Sequence, residues 1–464
     1  IDEKSGGKIM ASCKLKLGKA VVVTDPTPEY SAVAVTMLGV KDPGVDELEA
    51  LDLTKENIRW GVGAGVRELQ ARCCGDIVVE ADTSPRAAAE GAHLAAWRFQ
   101  EFKTSNRLPS AKLSPLRDSK EWADGVILGE AQNWARFLAD MPANLMTPVD
   151  LAQAAIDVLC PLGVQVQVKD IHWIKTQKMQ AFLAVARGAC TEPMFLECSW
   201  SNGKDTQPPV LIAAKGVTFD SGGLCLKSCS GMYENRGSMA GAAVVLGAIK
   251  AIAEAKLPLN VRAVIPICEN MISGQCMKVG DVVRALNGLT IQIENTDMEG
   301  RLMMADALVY GQAAYKPSLV LDVATLTKGI ALATGGGAFG CFTTSEAAWS
   351  DVRCAGAEAG DRGWRLPLWN YYKKQITNEA AVDLRNQGSG TASACIGAAF
   401  LKHFVCCPWI HMDITGVGKL AHGEAPPYLR VGRMTGRPTR TLAGFLHNLA
   451  KQCQKEQDKQ QKVQ

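Results

Sequence analysis

The chain has 464 residues, with 50 Lys and Arg against 47 Asp and Glu for a formal net charge of +3, and 47% hydrophobic and 21% charged residues. That length exceeds one ordinary domain, and the composition can bury a large core, so general disorder is excluded. A near-neutral balance without a basic block argues against nucleic acid as the main partner. No uninterrupted apolar run of about 18 residues marks a membrane span; the best candidate, 239–252, is shorter and carries Lys250.

In chain order, residues 20–40 read as extended, with Val21, Val22 and Val23 and then Val33, Val35 and Met37. A strand is predicted over 76–80 and a helix over 84–103, with Ala88, Ala92, Ala95, Ala96 and Phe99 on related faces. The polar stretch 106–120, with Pro109 and Pro115, reads as a loop, and a helix follows over 121–140 until Pro142 and Pro148 stop it. Beyond this point strands at 209–215, 260–267 and 318–324 alternate with helices at 238–255 and 301–314. Continuous apolar strands between helices predict an α/β fold whose sheet is covered on both faces. The organisation expected is a smaller mixed α/β N-terminal domain (1–120), a linking helix (121–142), a larger three-layer α/β domain (143–450) and a frayed polar tail (451–464).

The 16 cysteines are scattered, with adjacent pairs at Cys73-Cys74 and Cys406-Cys407, and no CxxC occurs. Neighbouring cysteines rarely bond to each other, so reduced thiols in an intracellular protein are expected. The sequence begins at Ile1 rather than Met. A cleaved targeting peptide would explain that start, which leaves cytoplasm and mitochondrion both open.

Three acidic residues stand out by position. Asp220 closes Lys215-Gly-Val-Thr-Phe-Asp220 directly after an apolar strand, and Asp297 and Glu299 lie between a strand and a helix. Sites in α/β sheets form at the carboxyl ends of strands, and carboxylates gathered there need a cation. A pair of divalent ions would meet that need, activate water and polarise a carbonyl. Residue types alone leave open the plainer reading that these are helix caps or loop residues.

Longer motifs decide between the two. The octapeptide 295–302 (NTDMEGRL) resembles the NTDAEGRL signature of the leucyl aminopeptidase family, dimetal exopeptidases that remove N-terminal residues. Residues 215–227 (KGVTFDSGGLCLK) resemble the family's first metal loop, and 268–271, 280–284, 287–288 and 434–440 (MTGRPTR) also match. The resemblance runs nearly continuously over about 140–447. It implies a catalytic α/β domain, a divalent metal (Zn or Mn), and a homohexamer built as a dimer of trimers. Carried over by position, it makes Lys215, Asp220, Asp297 and Glu299 metal ligands and Lys227 the electrophilic lysine facing the oxyanion. It makes Arg301 the holder of a bicarbonate base, and it packs 388–400 near the active site.

The chain departs from the pattern at telling places. Where the family reads M-x-x-M-R-A-D-M-G-G-A-A, residues 232–243 read MYENRGSMAGAA, so Ser238 stands at a fifth ligand position normally held by Asp. A serine hydroxyl is a much poorer ligand for a hard divalent ion than a carboxylate. Glu234, four residues earlier, is the only nearby substitute. Lys328 replaces the glycine of A-T-L-T-G, bringing bulk and positive charge to the cleft, and Asn235 replaces an apolar Met associated with the specificity pocket. Met298 and Ala240 replace Ala and Gly.

Two functions lead, ahead of a peptide- or nucleic-acid-binding module, which the near-neutral charge disfavours. One is a catalytically impaired family member with partial or absent metal occupancy, kept for a structural assembly role like the divergent members found in insect sperm. The other is an active Mn- or Zn-dependent aminopeptidase acting on peptides. Neither calls for nucleic acid or a membrane.

Overall fold

The structure is a computed structural model describing residues 15–421, 423 and 425–463, with side chains to residue 455. Two compact units emerge. The first takes in the chain up to Asn133 together with Ala357–Gly360 and Ala421–Arg433, and the second holds Trp134–Gly356, Asp361–Leu420 and the chain from Met434 onward.

In the first unit, Ala20–Thr27 and Tyr30–Thr36 form an antiparallel pair, and Asp76–Val79 pairs in parallel with Lys112–Pro115. The second pairing places a short strand inside the segment read as loop. It is only four residues long and ends on Pro115, which breaks its sequence signal. Helix Leu53–Ala71 starts on Asp52, whose side chain accepts the Lys55 N–H. Helix Pro85–Ala96 stops well before the predicted 103. Its last carbonyls are taken by side chains: Gln70 Nε2 donates to Ala96 O (2.8 Å) and Arg430 Nη2 to Ala95 O (2.8 Å). The unit's polar centre is Arg59, fully buried, which donates to Glu90 (2.6 Å), Glu56 (3.0 Å) and the Glu358 carbonyl (2.5 Å). A buried cation is tolerated only with such a complete set of acceptors. The helix expected as a link forms as Lys120–Asp140.

The second unit is built on a nine-stranded mixed sheet. Its main order is Gly363–Arg365, Phe339–Thr343, Trp409–Asp413, Leu319–Ala324, Val210–Ala214, Asn260–Asn270, Met194–Ser201 and Gln165–Lys169. Gly216–Asp220 runs parallel to the far half of Asn260–Asn270. The centre is parallel, as the apolar strands predict. All five residues of Val210–Ala214 are buried, so both faces are covered. Leu211 and Ala213 share a core cluster with Leu302, Met303 and Leu308 of helix Gly300–Tyr315. The α/β reading with helices over both faces of the sheet holds.

Helix Ala240–Glu254 is preceded by a 3-10 stretch, Met232–Met239. Together they are long and apolar enough by composition to cross a membrane, yet 89% of the apolar window is buried inside the protein. Gly241 explains the packing: a Cβ there would lie 2.4 Å from the Val323 carbonyl oxygen, so the helix seats directly on the strand. The polar segment after 450 does not fray as expected but continues helix Thr439–Val463. Lys, Gln and Glu are strong helix formers, and buried Phe445, Leu446 and Ala450 anchor the preceding turns. Fourteen of the fifteen described cysteines, all but Cys453, are free thiols, and Cys13 lies outside the described residues.

One buried acid gives the second unit a pH dependence. Asp306 accepts the backbone N–H groups of Phe182 (3.0 Å) and Leu286 (2.8 Å). Burial nevertheless pushes its carboxyl up to about 7, from an ordinary value of 3.8. Between those values the folded chain binds more protons than the unfolded one, so this contribution is full below about pH 4 and is lost as the pH rises toward 7. Chemical denaturation of wild type and Asp306→Asn at pH 4.5 and 7.5 should show a steeper fall in stability for wild type. Equal slopes would mean that Asp306 titrates normally.

Candidate metal centre

The sheet delivers the three acids together. Asp220 ends its strand opposite Asn270, and Asp297 and Glu299 lie in the turn leading into helix Gly300–Tyr315. One oxygen from each of Asp220, Asp297 and Glu299 falls within 4.8 Å of the others. Two lysines stand among them. Lys227 Nζ contacts Asp220 Oδ2 at 2.9 Å and also pairs closely with Asp297, while Lys215 Nζ lies 2.6 Å from Glu299 Oε1 and donates to Thr325 O (2.9 Å). The plainer reading as caps fails at Glu299, whose side chain makes no capping hydrogen bond.

Local sequence explains how these groups reach one point. Gly222 and Gly223 take φ of +90° and +66°, turning the chain back after Asp220 so that Lys227 N–H donates to Ser221 O (2.9 Å). Gly300 leaves room for the Lys215 stem, since a Cβ there would sit 3.0 Å from Lys215 Cδ. Asn295 Oδ1 accepts the Asp297 N–H (2.8 Å), which shapes the turn before the helix.

Electrostatics set the acids apart. Burial pushes the Glu299 carboxyl up, and the neighbouring Asp220 charge adds to it. Burial works against Asp220 as well, but Lys227 and Lys215 outweigh it and hold that carboxyl below its usual range. Burial opposes the charge on Lys227, yet Asp220, Glu299 and Asp297 prevail and raise its pKa. Glu299 Oε1 is buried, and its close partner among the described residues is the Lys215 ammonium at 2.6 Å. Hard carboxylate oxygens at this spacing fit a divalent ion, and Lys215 could join them only as a neutral amine.

Arg301 is fully buried in the first turn of its helix. Its Nη1 donates to Asn386 O (2.6 Å), its Nε has no acceptor among the described residues, and burial pulls its pKa down to about 10. Ser238 is buried and faces the same cleft. Glu234 does not line the cleft. Lys328 begins helix Lys328–Thr334 at the rim, its side chain 78% exposed with Nζ 3.9 Å from Asp297 Oδ2. Asn235 lines the cleft too, as does Ser393 from the 388–400 segment.

The supporting residues were not predicted. Asn270 Nδ2 donates to Asp220 Oδ1 (2.9 Å) and to Thr296 O (3.1 Å), tying the two acidic segments together. Asn386, fully buried, accepts the N–H groups of Glu294 (2.8 Å) and Asn295 (3.2 Å) and donates to Asn295 O (2.8 Å). Asn270 falls within the matching 268–271 segment, which was its only signal; Asn386 had none.

Acidic and lysine side chains converging between the end of strand Gly216–Asp220 and the start of helix Gly300–Tyr315 give an α/β protein a cluster that could hold a metal ion. The comparisons narrow the class. The catalytic-domain profile of the cytosol aminopeptidase family matches residues 133–443, and its N-terminal-domain profile matches residues 3–106. The cytosol aminopeptidase of Xenopus tropicalis is 43% identical over 449 residues, 95% of this chain and 85% of its own length, and that of Homo sapiens is 42% identical over 438 residues, 93% and 84%. The solved structure of the bottromycin maturation enzyme BotP in complex with Mn superposes with a TM-score of 0.86 at 29% identity, covering 96% of each chain. This chain belongs to the cytosol aminopeptidase family.

Because Asn270 orients Asp220, Asn270→Ala should weaken Mn binding by about 10–100-fold with little change in the folded fraction. Calorimetric titration beside circular dichroism checks it; unchanged affinity would remove Asn270 from the site.

Proposed function

We propose that this chain is a divalent-metal aminopeptidase that removes N-terminal residues, such as Leu, from peptides, with one metal position intact and a second weakened. The observation that carries the reading is the convergence of Asp220, Asp297 and Glu299 within 4.8 Å. The Mn in the BotP complex supports Mn as the metal, with Zn the other ion such oxygen and amine ligands accept, and the names of the relatives support the cytosol as the location. A divalent ion bound there would polarise the scissile carbonyl and lower the pKa of water. Lys227 keeps its charge beside the acids and stands ready to meet the developing oxyanion. Arg301, buried with an unused Nε, offers a place for bicarbonate as general base.

Ser238 favours a second reading. Replacing a carboxylate by a hydroxyl removes one formal negative charge from the metal that would also take Lys215, so that ion is the one held loosely. On this reading turnover is low and the chain is retained for its assembly, a hexamer formed as a dimer of trimers, in a structural role such as that in sperm.

Metal content of the purified protein and hydrolysis of a leucyl anilide with added Mn or Zn separate the readings. The expected result is about one firmly held ion per chain and weak turnover, with Ser238→Asp, Lys328→Gly raising both, turnover by about tenfold or more. Two firm ions and brisk turnover in wild type would remove the impaired reading. No ion and no turnover in either protein would remove the enzyme.

A further inference from the structure

The cleft around the acids has the wrong lining for an apolar side chain. Among its described lining residues only Met298 and Leu326 are apolar, while five cationic side chains (Lys215, Lys227, Arg301, Lys328 and Lys419) face three carboxylates. The formal balance is therefore +2 before any metal is counted. Lys215 and Lys227 are engaged by the acids and Arg301 by Asn386. Lys328 lies 3.9 Å from Asp297 at the rim, which leaves Lys419 as the cation without an acid beside it among the described residues.

Lys419 is the distinctive residue. It follows the loop after strand Trp409–Asp413, and Asp413 fixes that loop by accepting Thr415 Oγ1 (2.6 Å) and Thr327 Oγ1 (2.6 Å). This clamp holds the Lys419 and Lys328 segments against each other. The Lys419 ammonium makes no ion pair among the described residues; its one hydrogen-bond partner is Asn235 Oδ1 at 3.4 Å. Burial, and then the like charges of Lys215 and Lys227, pull it down to about 8, the mark of a cation short of counter-charge. Asp220 and Glu234 offset this only at longer range. Asn235 holds the ammonium by its amide oxygen and leaves its N–H₂ donors free of protein partners among the described residues. An ammonium beside an amide donor, with a second ammonium at the rim, is a recognition set for a carboxylate.

We infer that the Lys419–Asn235 corner, with Lys328 at its mouth, is a carboxylate subsite, so that the preferred peptides carry an anionic group beside the bond at the metal centre. That group is either the side chain of an N-terminal Glu or Asp or the free C-terminus of a very short peptide. The inference deepens the aminopeptidase reading and rests on it.

The test uses the full chain and binding rather than turnover. Calorimetry measures the α-hydroxamates of L-glutamate and L-glutamine, which differ in side-chain charge alone, and leucyl-glycine against leucyl-glycinamide, which differ in C-terminal charge. Each is titrated with Mn and again with EDTA. The expected result is about a tenfold or greater preference for the charged member of one pair, which identifies the source of the carboxylate, and its collapse toward unity in Lys419→Met. The wild-type ratios decide the matter even if that variant folds poorly. No charge preference in either pair, or a preference that survives in folded Lys419→Met, overturns the subsite. Hydroxamate binding that is indifferent to Mn counts against the metal reading while the charge ratio still reports on the corner, and no binding of any ligand overturns both.

Discussion

Crowding of negative charge between the end of strand Gly216–Asp220 and the start of helix Gly300–Tyr315 is the constraint around which the site in the second unit is arranged. Asp220 and Glu299 are nearly inaccessible to water, and Asp297 sits beside them. Like charges at that spacing in a poorly solvated site repel by several kcal/mol unless positive charge is interposed. Lys215 and Lys227 supply part of it. A divalent ion would supply the rest more compactly, and it is the response for which hard oxygen ligands are suited.

Holding such a cluster open requires rigid surroundings, and the chain provides them from elements far apart in sequence. Asn270 ties the first acidic strand end to the turn at 296, and Asn386 ties that turn to a segment some ninety residues later. Thr296 adds a third tie by donating to the Gly222 carbonyl (2.7 Å) and accepting the Cys225 N–H (2.8 Å). Each is a buried polar side chain with good partners on both sides. Such networks fix a geometry firmly because leaving any member unpaired is costly.

The sequence revealed these parts unequally. The acids and the two lysines were legible because they lie in compact runs, 215–227 and 295–302, where local spacing and chain direction already fix their neighbours. The central strands were legible because continuous apolar residues have few alternatives. The strand Lys112–Pro115 was hidden because its stability comes from pairing with Asp76–Val79, not from its own composition. The end of helix Pro85–Ala96 depends on Gln70 and Arg430, whose closeness no local pattern encodes. Lys419 went unnoticed for the same reason. As a lone lysine in a polar stretch it gains meaning only once the fold sets it beside Asn235.

The departures from the family pattern then read as one electrostatic change instead of separate accidents. Serine at 238 removes a negative charge from the cleft, and lysine at 328 brings a positive one to within 3.9 Å of Asp297. Asn235 offers an amide oxygen to Lys419 where an apolar methionine would leave that ammonium without a partner. The changes at 238 and 328 both move the formal charge of the cleft in the positive direction, and Asn235 adds a neutral amide. A site that exchanges a carboxylate for ammonium groups loses affinity for metal through the same Coulomb interaction by which it gains affinity for a carboxylate, so the weakened second metal and the carboxylate subsite proposed above would share one cause. Restoring the acid at 238 alone would therefore leave the ammonium groups at 328 and 419 still opposing the second ion.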